Sequence, residues 1–472
     1  MPLLGSRGAA STTGFGALAN LGYFLRNSLR FRASNSAFLN RTPASSGNRK
    51  TWTFSAWIKR GSLGTDTLFW SCSSGSNANK NELMFTSGDQ LRLETIVSSS
   101  STSVTTSQVF RDPSAWYHIV VAVDTTQATS SNRIRFYVNG AEITAFSSSS
   151  YPSQNADLYY NSTNKHLLAA GNEFAGQVYS DLYIAEFNWI DGQQLSPSSF
   201  GKTDAVTNQW IPKKFGGAYG TNGFYLPFTN TTSTSTLGND FSGNGNTWTV
   251  NNISLTADRT YDAVTDVPTL SATASNYATF NPLMTGAGVT VSQGNLFTNH
   301  NNGTSGWVST AVSQAMPATG KWYIEMTVVT YLNGYTGYGF YRDSATNLVG
   351  NGASTGANDP NWWSHYGHVS QFYNNSSASG SAATWSSGTM MLAFDADAGG
   401  KAYFGRNGTW YNSSDPAAGT NAPFTISRSA GQNVYFIVEG YNNIQWAVNA
   451  GQQGFAYTPP SGFKALNTYN LP

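Results

Sequence analysis

The stretch LAFDADAGGKAYFGRNGTW, residues 392–410, indicates the fold class, because an apolar run, a polar turn and a second apolar run follow one another. The same order occurs in HIVVAVDTTQATSSNRIRFYVNG, residues 118–140. The runs are rich in β-branched and aromatic side chains, and the turns carry Asp, Gly and Asn-Gly, which tolerate a left-handed backbone. Both stretches are therefore predicted to be β-hairpins.

Asp395 and Asp397 also suggest a metal loop or a pair of catalytic carboxylates. A calcium loop needs six to eight oxygen ligands, usually with a bidentate carboxylate further along the chain. No such carboxylate is obvious here, because the next acid is Asp415. The hairpin remains the preferred interpretation.

The composition extends the β prediction to the whole chain of 472 residues. Charged residues make up 10% and aromatic residues 14%, whereas about 25% of an average soluble protein is charged. The net charge of +1 gives no electrostatic footprint for nucleic acid or an anionic membrane. No run approaches the roughly 18 apolar residues of a membrane helix. We expect an all-β protein with no nucleic-acid partner and no membrane insertion.

Alternation of apolar and polar residues divides the chain into two β-rich regions. TWTFSAWIKRG, residues 51–61, and KWYIEMTVV, residues 321–329, each predict a half-buried strand. We predict two β-sandwiches of jelly-roll, lectin-like type at residues 22–201 and 285–472. Turn signals dominate residues 202–284, which we predict to be an extended, β-poor connector, and residues 1–21 form a Gly/Ala/Ser-rich arm.

Two known families resemble these regions. TWTFSAWIKRG, AWYHIVVAVDTT and YIAEFNWIDGQQLSPSSFG occur in the order typical of the laminin-G-like, concanavalin A-type jelly rolls, which the first region resembles. GKWYIEMTV, GYGFY, LAFDADAGGKAYFGRNGTWY and IQWAVNAGQQGFAYTPPSGFKALN resemble a SPRY domain. Both resemblances imply β-sandwiches that serve mainly in binding.

A narrower resemblance lies in the flanking segments MPLLGSRGAASTTGFG, WIPKKFGGAYGTNGFYL, DFSGNGNTWTVNNIS and FAYTPPSGFKALN. They resemble recurring segments of bacteriophage virion proteins, particularly those of marine phages. This implies a virion surface protein, most simply a tail or head fibre that recognises host surface polysaccharide. It further implies that the arm docks on other virion proteins. The few charges and many Ser, Thr and Asn residues suit a homo-oligomer. A trimer would suit a fibre, although the sequence shows no coiled coil to enforce one.

Two other functions stay open. A decoration or cement protein of the capsid or tail would bind only virion proteins. A bacterial surface adhesin would share the sandwiches, but the N-terminus shows no apolar signal-peptide segment.

A candidate glycan site lies in NDPNWWSHYGHVSQFYNN, residues 358–375. Exposed tryptophan beside amide and imidazole groups is typical of sugar recognition. The candidate ligands are Asn361, Trp362, Trp363, His365 and Tyr366. Adjacent residues of a strand point to opposite faces, so at least one tryptophan is expected to meet a loop, a partner or a ligand. The alternative is that both tryptophans belong to the core.

The best metal candidate is the set Asp240, Ser242 and Asn244, followed by Gly245. These residues match positions 1, 3, 5 and 6 of a calcium loop. Position 12 is Asn251 instead of an acid, so the alternative is a turn ordered by Asp and Asn side chains. Calcium is the only cofactor that the sequence suggests.

The sequence does not predict an enzyme. No His-Glu-X-X-His motif occurs. Jelly-roll glycosidases need two carboxylates placed about the scissile bond, whereas Asp181, Glu186 and Glu325 stand isolated on their strands. We expect these three acids on solvated faces.

Overall fold

The computed structural model describes residues 23–171, 177–301, 306–331, 336–343 and 359–472. The chain divides into an N-terminal unit, Leu21–Ala274, and a C-terminal unit that includes Ser275–Pro472. Strands dominate both units, which confirms the predicted all-β class with two β-sandwiches. No helix within the described ranges is long and apolar enough to cross a membrane. The predicted arm, residues 1–21, lies outside the described residues.

The N-terminal unit contains twenty described strands and four short 3-10 helices. The strands are β1 Ser28–Phe31, β2 Phe38–Arg41, β3 Thr51–Arg60, β4 Thr67–Ser73, β5 Lys80–Phe85, β6 Gln90–Val97, β7 Ser100–Val109, β8 Trp116–Asp124, β9 Ile134–Val138, β10 Ala141–Ile143, β11 Phe146–Ser149, β12 His166–Leu168, β13 Ala170–Gly171, β14 Val178–Tyr179, β15 Leu182–Asp191, β16 Gly201–Thr203, β17 Trp210–Pro212, β18 Phe224–Leu226, β19 Thr249–Asn251 and β20 Ala263–Val264. The 3-10 helices are Ala33–Asn35, Ser130–Asn132, Pro197–Ser199 and Ser235–Gly238.

Two large antiparallel sheets form this sandwich. Sheet A has the order β10-β9-β8-β3-β15-β1-β20, with β18 also paired to β15, and sheet B has the order β11-β7-β6-β5-β4-β12-β2-β19. The main core lies between them and is strongly aromatic: Trp70 stacks on Trp189 with ring centroids 4.3 Å apart, and Trp52 stacks on Trp189 at 4.8 Å. Such contacts add to the area that these large rings bury.

The C-terminal unit contains the remaining described strands. They are β21 Phe280–Thr285, β22 Val289–Ser292, β23 Phe297–His300, β24 Val308–Val312, β25 Lys321–Thr330, β26 Thr336–Arg342, β27 Trp362–Tyr366, β28 Phe372–Asn374, β29 Ser377–Ser379, β30 Gly388–Asp395, β31 Lys401–Arg406, β32 Thr409–Trp410, β33 Phe424–Thr425, β34 Val434–Gly440, β35 Ile444–Asn449 and β36 Lys464–Ala465. Sheet C has the order β21-β24-β34-β26-β27-β28-β29. Sheet D has the order β22-β23-β35-β25-β30-β31-β32, with β33 on β31 and β36 on β25.

The hairpin predicted for residues 392–410 is confirmed. Strands β30 and β31 pair antiparallel, with Asp395 opposite Lys401, and Gly399 and Gly400 adopt the left-handed backbone that the turn requires. The Asp395 carboxylate accepts a bond from the Ala398 amide and pairs with a lysine of β25. Asp395 therefore serves the turn, whereas Asp397 accepts from the Gly320 amide, at 2.8 Å, outside the hairpin.

The segment predicted as a connector supplies strands to the first sandwich. Strand β18 pairs with β15, β19 with β2, and β20 with β1. Residues 202–274 lie within the N-terminal unit, whose boundary at Ala274 precedes the predicted start of the second sandwich at residue 285. A segment with few apolar runs can add short strands to a sheet because the strands with which it pairs already provide the hydrophobic core.

The same segment covers the outer face of sheet A. Strand β3 was predicted to be half-buried, but Thr53, Ser55 and Trp57 on its polar face are as buried as its core-facing residues. Trp210 lies over this face, where the indole Nε1 donates to Nδ1 of His118 at 2.9 Å. A Cβ at Gly140 or Gly201 would come within 2.4 Å of this indole, so both positions need glycine.

Candidate functional site

A β-bulge in β15 places Glu186 on the outer face of sheet A. The pairing of β15 with β3 shifts register between Ala185 and Asn188, and Glu186 has φ of 52°. A side chain other than glycine rarely adopts this conformation, and bulges re-aim the residues around them. As a result Ile184 and Phe187, three residues apart, both reach the core, while Glu186 meets Tyr225 of β18 on the opposite face.

Glu186, Tyr23 and Tyr225 form a closed triangle of short oxygen contacts. The Tyr23 hydroxyl lies 2.7 Å from Oε1 of Glu186, the Tyr225 hydroxyl lies 2.8 Å from Oε2, and the two hydroxyls are 2.6 Å apart. Three hydrogen bonds need three protons. Two phenols and an ionised carboxylate supply only two, whereas a protonated carboxyl group supplies the third.

The burial of Glu186 also favours the protonated form of its carboxyl group. The side chain is 4% exposed, and burial, the dominant cause, raises its pKa to about 7. The hydrogen bonds from Tyr23 and Tyr225 and the charge of Lys214 act in the opposite direction. Burial and the neighbouring carboxylate also raise the pKa of both phenols, so they stay protonated at neutral pH. A strongly perturbed carboxyl group in a cleft is a typical mark of a functional site.

The triangle forms one wall of a cleft of about 530 Å³, which we call the Glu186 cleft. Its lining residues are Tyr23, Phe24, Leu25, Arg26, Asn27, Glu186, Lys214, Tyr225, Pro227, Thr229 and Phe241. This volume lies in the usual range for small-ligand sites. The Phe241 side chain is 49% exposed, although it is large and apolar. The cleft therefore offers aromatic faces, cations, an amide, hydroxyls and one carboxyl group.

The predicted metal loop supports the wall of this cleft. Oδ1 of Asp240 accepts from the amides of Tyr225, at 2.9 Å, and Ser242, at 2.8 Å. Oδ2 accepts from the Ser242 hydroxyl and the Asn246 amide, both at 2.8 Å. The Asn244 side chain donates to two backbone carbonyls of residues 220 and 223. The three proposed ligands thus organise a turn ordered by Asp and Asn, the alternative interpretation, and the described residues contain no cluster of three or more His, Cys, Asp or Glu side chains suited to a metal.

The exposure expected of the glycan candidates is wrong for the four that lie on β27, an inner strand of sheet C. Trp362, Trp363, His365 and Tyr366 are at most 6% exposed. As predicted, the adjacent tryptophans point to opposite faces: Trp362 donates to Glu439, at 2.9 Å, and Trp363 joins the main core. Further structure covers both faces, so neither ring is free for a sugar.

Two further candidates of this set, His365 and Asn361, have structural partners. Nδ1 of His365 lies 3.2 Å from the Trp385 indole nitrogen, and burial lowers the pKa of His365 to about 4. Oδ1 of Asn361 accepts two hydrogen bonds from the Arg342 guanidinium. These contacts hold β27 in place within the C-terminal unit.

The acids expected on solvated faces are buried. Glu325 is 2% exposed and accepts from the amides of Ala456 and Tyr457, both at 2.8 Å, which ties the C-terminal segment to β25. Asp181 is 9% exposed and accepts from the Ala33 amide. The sequence LYIAEFNWID, residues 182–191, contains a signal for the bulge at Glu186. The core-facing residues stand at even-numbered positions before it, Leu182 and Ile184, and at odd-numbered positions after it, Phe187 and Trp189. Such a one-residue shift in the alternation is typical of a bulge.

Residues 34–199 match the Laminin_G_3 family model, described as the concanavalin A-like lectin/glucanases superfamily. The N-terminal unit therefore contains a laminin G-like domain of the concanavalin A-like lectin superfamily, as the sequence predicts. The match includes Glu186 but ends before the segment that carries Tyr225 and Phe241. No curated protein sequence matches the chain.

Several solved structures are similar. The mouse laminin alpha1 chain, domains LG4-5, is 10% identical with a TM-score of 0.31, and the alignment covers 96% of each chain. A human SPRY domain is 12% identical with a TM-score of 0.27, covering 34% of this chain and 94% of that one. A heptameric SAP-like pentraxin from Limulus polyphemus is 12% identical with a TM-score of 0.28, covering 41% and 95%. The SPRY resemblance of the C-terminal unit stays a prediction.

Proposed function

We propose that this protein is a non-enzymatic recognition protein that binds surface glycans through the Glu186 cleft. The observation that carries the proposal is the lining of this cleft in the laminin G-like unit. Aromatic rings such as Phe241 suit the apolar face of a sugar, while hydroxyl, amide and carboxyl groups suit its hydroxyls. Many copies on one particle would convert weak single-site binding into firm adhesion.

A glycan array with the full chain tests this function. Binding is expected to fall at least tenfold in Phe241→Ala, which removes the exposed ring at the cleft. Val206→Ala is the matched control, because Val206 is 59% exposed in the same unit and does not line the cleft. The absence of any bound glycan, or equal binding by the two variants, would contradict the proposal.

The absence of catalysis is part of the proposal. The matching family includes glucanases by its description, and such chemistry uses two carboxyl groups about 5–10 Å apart across the scissile bond. Glu186 is the only acid among the described residues that line the cleft. We expect no release of reducing ends from bound polysaccharide; release that disappears in Glu186→Gln would establish an enzyme.

For the biological setting we propose the surface of a bacteriophage particle, on a tail or head fibre, with the chain as a homo-oligomer. The support is the resemblance of the flanking segments to virion proteins. Immunogold microscopy of particles with an antibody against residues 285–472 tests it. Label on fibres supports adhesion, even label over the head favours a decoration or cement role, and no label favours a bacterial adhesin.

A further inference from the structure

A second cleft, of about 310 Å³, lies on the C-terminal unit. We call it the Arg406 cleft, and its lining residues are Tyr331, Gly367, His368, Thr384, Trp385, Ser386 and Arg406. A Cβ at Gly367 would lie 2.6 Å from the Tyr331 ring and 2.8 Å from the Trp385 carbonyl oxygen. The glycine therefore lets the backbone pack closely beneath the two aromatic residues, whose ring centroids are 5.8 Å apart.

Arg406 brings an unbalanced positive charge to this cleft. It ends β31, its Nε is buried, and that nitrogen has no hydrogen-bond partner. Among the ion pairs of the described residues none includes Arg406. The titratable groups that its charge reaches are the phenols of Tyr338 and Tyr411, and Arg406 also makes a side-chain hydrogen bond with Tyr411. Burial raises the pKa of both phenols, so both stay neutral and neither supplies a counter-charge. A desolvated donor of this kind gains most from an anionic acceptor.

The aromatic wall beside Arg406 is fixed in place. Trp385 is 3% exposed, and its indole N–H points to Nδ1 of His365, at 3.2 Å. That donor is therefore occupied, and the ring can contribute only apolar contact to a ligand. The side chains of Thr384 and Ser386, on either side, are exposed and carry hydroxyl groups.

We propose that the Arg406 cleft binds an acidic sugar residue, with the sugar carboxylate on the Arg406 guanidinium. The planar guanidinium matches a carboxylate in a bidentate geometry. The Tyr331 side of the cleft contacts the apolar face of the sugar ring, and Thr384 and Ser386 bond its hydroxyls. This site is separate from the Glu186 cleft and does not depend on the function proposed there.

Saturation-transfer NMR and calorimetric titration of the full chain with glucuronic acid test this site, with glucose as the neutral probe. Glucuronate should bind at least tenfold more tightly than glucose. Arg406→Gln should abolish that difference. Arg406→Lys keeps the charge but cannot bind a carboxylate through two parallel N–H groups, so it should retain part of the difference. Lys464→Gln is the control, because it removes one charge from an exposed position of the same unit outside the cleft. Circular dichroism establishes that each variant is folded.

Three outcomes would overturn the proposal. They are equal affinity for glucose and glucuronate, glucuronate binding that survives in Arg406→Gln, and tighter binding of a blocked aspartate peptide than of glucuronate. The Phe241→Ala variant separates the two sites, because it should impair glycan binding at the Glu186 cleft and leave glucuronate affinity unchanged. Loss of glucuronate binding in Phe241→Ala would likewise contradict a site at Arg406.

Discussion

Nζ of Lys59 lies 2.7 Å from Oδ2 of Asp266, and neither side chain is exposed to solvent. Lys59 is on β3 of sheet A, while Asp266 follows β20. The other carboxylate oxygen accepts from the Trp116 indole at 3.0 Å. Asp262 forms a similar buried contact with Arg30 and Arg32. These ion pairs attach the segment that contains Asp262 and Asp266 to the outer face of sheet A.

Asp266→Asn should destabilise the N-terminal unit by about 3–5 kcal/mol, because it removes the negative charge that faces the buried ammonium group of Lys59. Chemical denaturation followed by tryptophan fluorescence measures the change. Glu142→Gln is the control: Glu142 pairs with Arg135 at 3.5 Å on the surface, where both side chains are more than a third exposed. Such a pair contributes below about 1 kcal/mol. Similar losses in the two variants would contradict this assignment of the buried pair.

The sequence was sufficient to predict strands, hairpins and the two sandwiches, because alternation and turn residues are local signals. It was not sufficient to predict the burial of Trp362 and Trp363. Their exposure depends on β26 and β28 flanking β27, and on what packs over each face of sheet C. The burial of Thr53 and Ser55 has the same origin, because residues far along the chain cover them.

The Glu186 cleft was beyond prediction for a related reason. Tyr23 lies 163 residues before Glu186 in the chain, and Tyr225 lies 39 residues after it. Only the bulge in β15 and the pairing of β18 bring them together. The phase change at position 186 was visible in the sequence, but it does not identify the partners of the carboxyl group.

Glu186→Gln should change how the stability of the N-terminal unit depends on pH. A folded-state pKa of about 7, above the usual value near 4.5, means that the native state binds the proton more tightly. The stabilisation is fully present below pH 4.5 and is lost as pH rises through 7. At about 1.4 kcal/mol per pKa unit, the stabilisation amounts to roughly 3–4 kcal/mol.

Denaturation of wild type and Glu186→Gln at pH 5, 6, 7 and 8 checks this expectation. The glutamine amide can donate where the protonated carboxyl group does, and it does not ionise, so the variant should lose less stability toward pH 8. Asp157→Asn, at an exposed position of the same unit, should follow wild type. Parallel pH profiles for wild type and Glu186→Gln would show that the triangle does not hold a proton.

His118 should remain neutral well below its usual pKa. It is 1% exposed, with Trp57 stacked on its ring at 4.8 Å, and burial lowers its pKa to about 3. Nδ1 accepts from the Trp210 indole and Nε2 contacts the Ser55 hydroxyl. The unfolded state therefore binds the proton more tightly, so this stabilisation is present above pH 6.5 and is lost as pH falls toward 3.

Histidine ring NMR signals measure this directly. The His118 signals, assigned by their loss in His118→Gln, should not shift between pH 8 and pH 5. Denaturation at pH 7 and pH 4 should show a smaller acid loss of stability in His118→Gln than in wild type. Titration of the His118 ring near pH 6.5 in the folded protein would contradict its burial beneath Trp210.

Asp240→Ala should destabilise the wall of the Glu186 cleft without involving a metal. The carboxylate accepts four hydrogen bonds, one of them from the backbone of Tyr225, and each buried donor left without a partner costs about 1–3 kcal/mol. A lower melting temperature of the N-terminal unit is expected, with weaker glycan binding because β18 positions Tyr225. Asp157→Ala is the control, since Asp157 is exposed in the same unit.

Calcium and a chelator distinguish the turn from a metal loop. A carboxylate whose oxygens already accept from amides and a hydroxyl has little to offer a cation that needs six to eight oxygen ligands. Melting curves of wild type should therefore coincide in 5 mM EDTA and in about 5 mM calcium, because a ligand stabilises only the state that binds it. A calcium-dependent rise in melting temperature that disappears in Asp240→Ala would restore the metal interpretation of Asp240, Ser242 and Asn244.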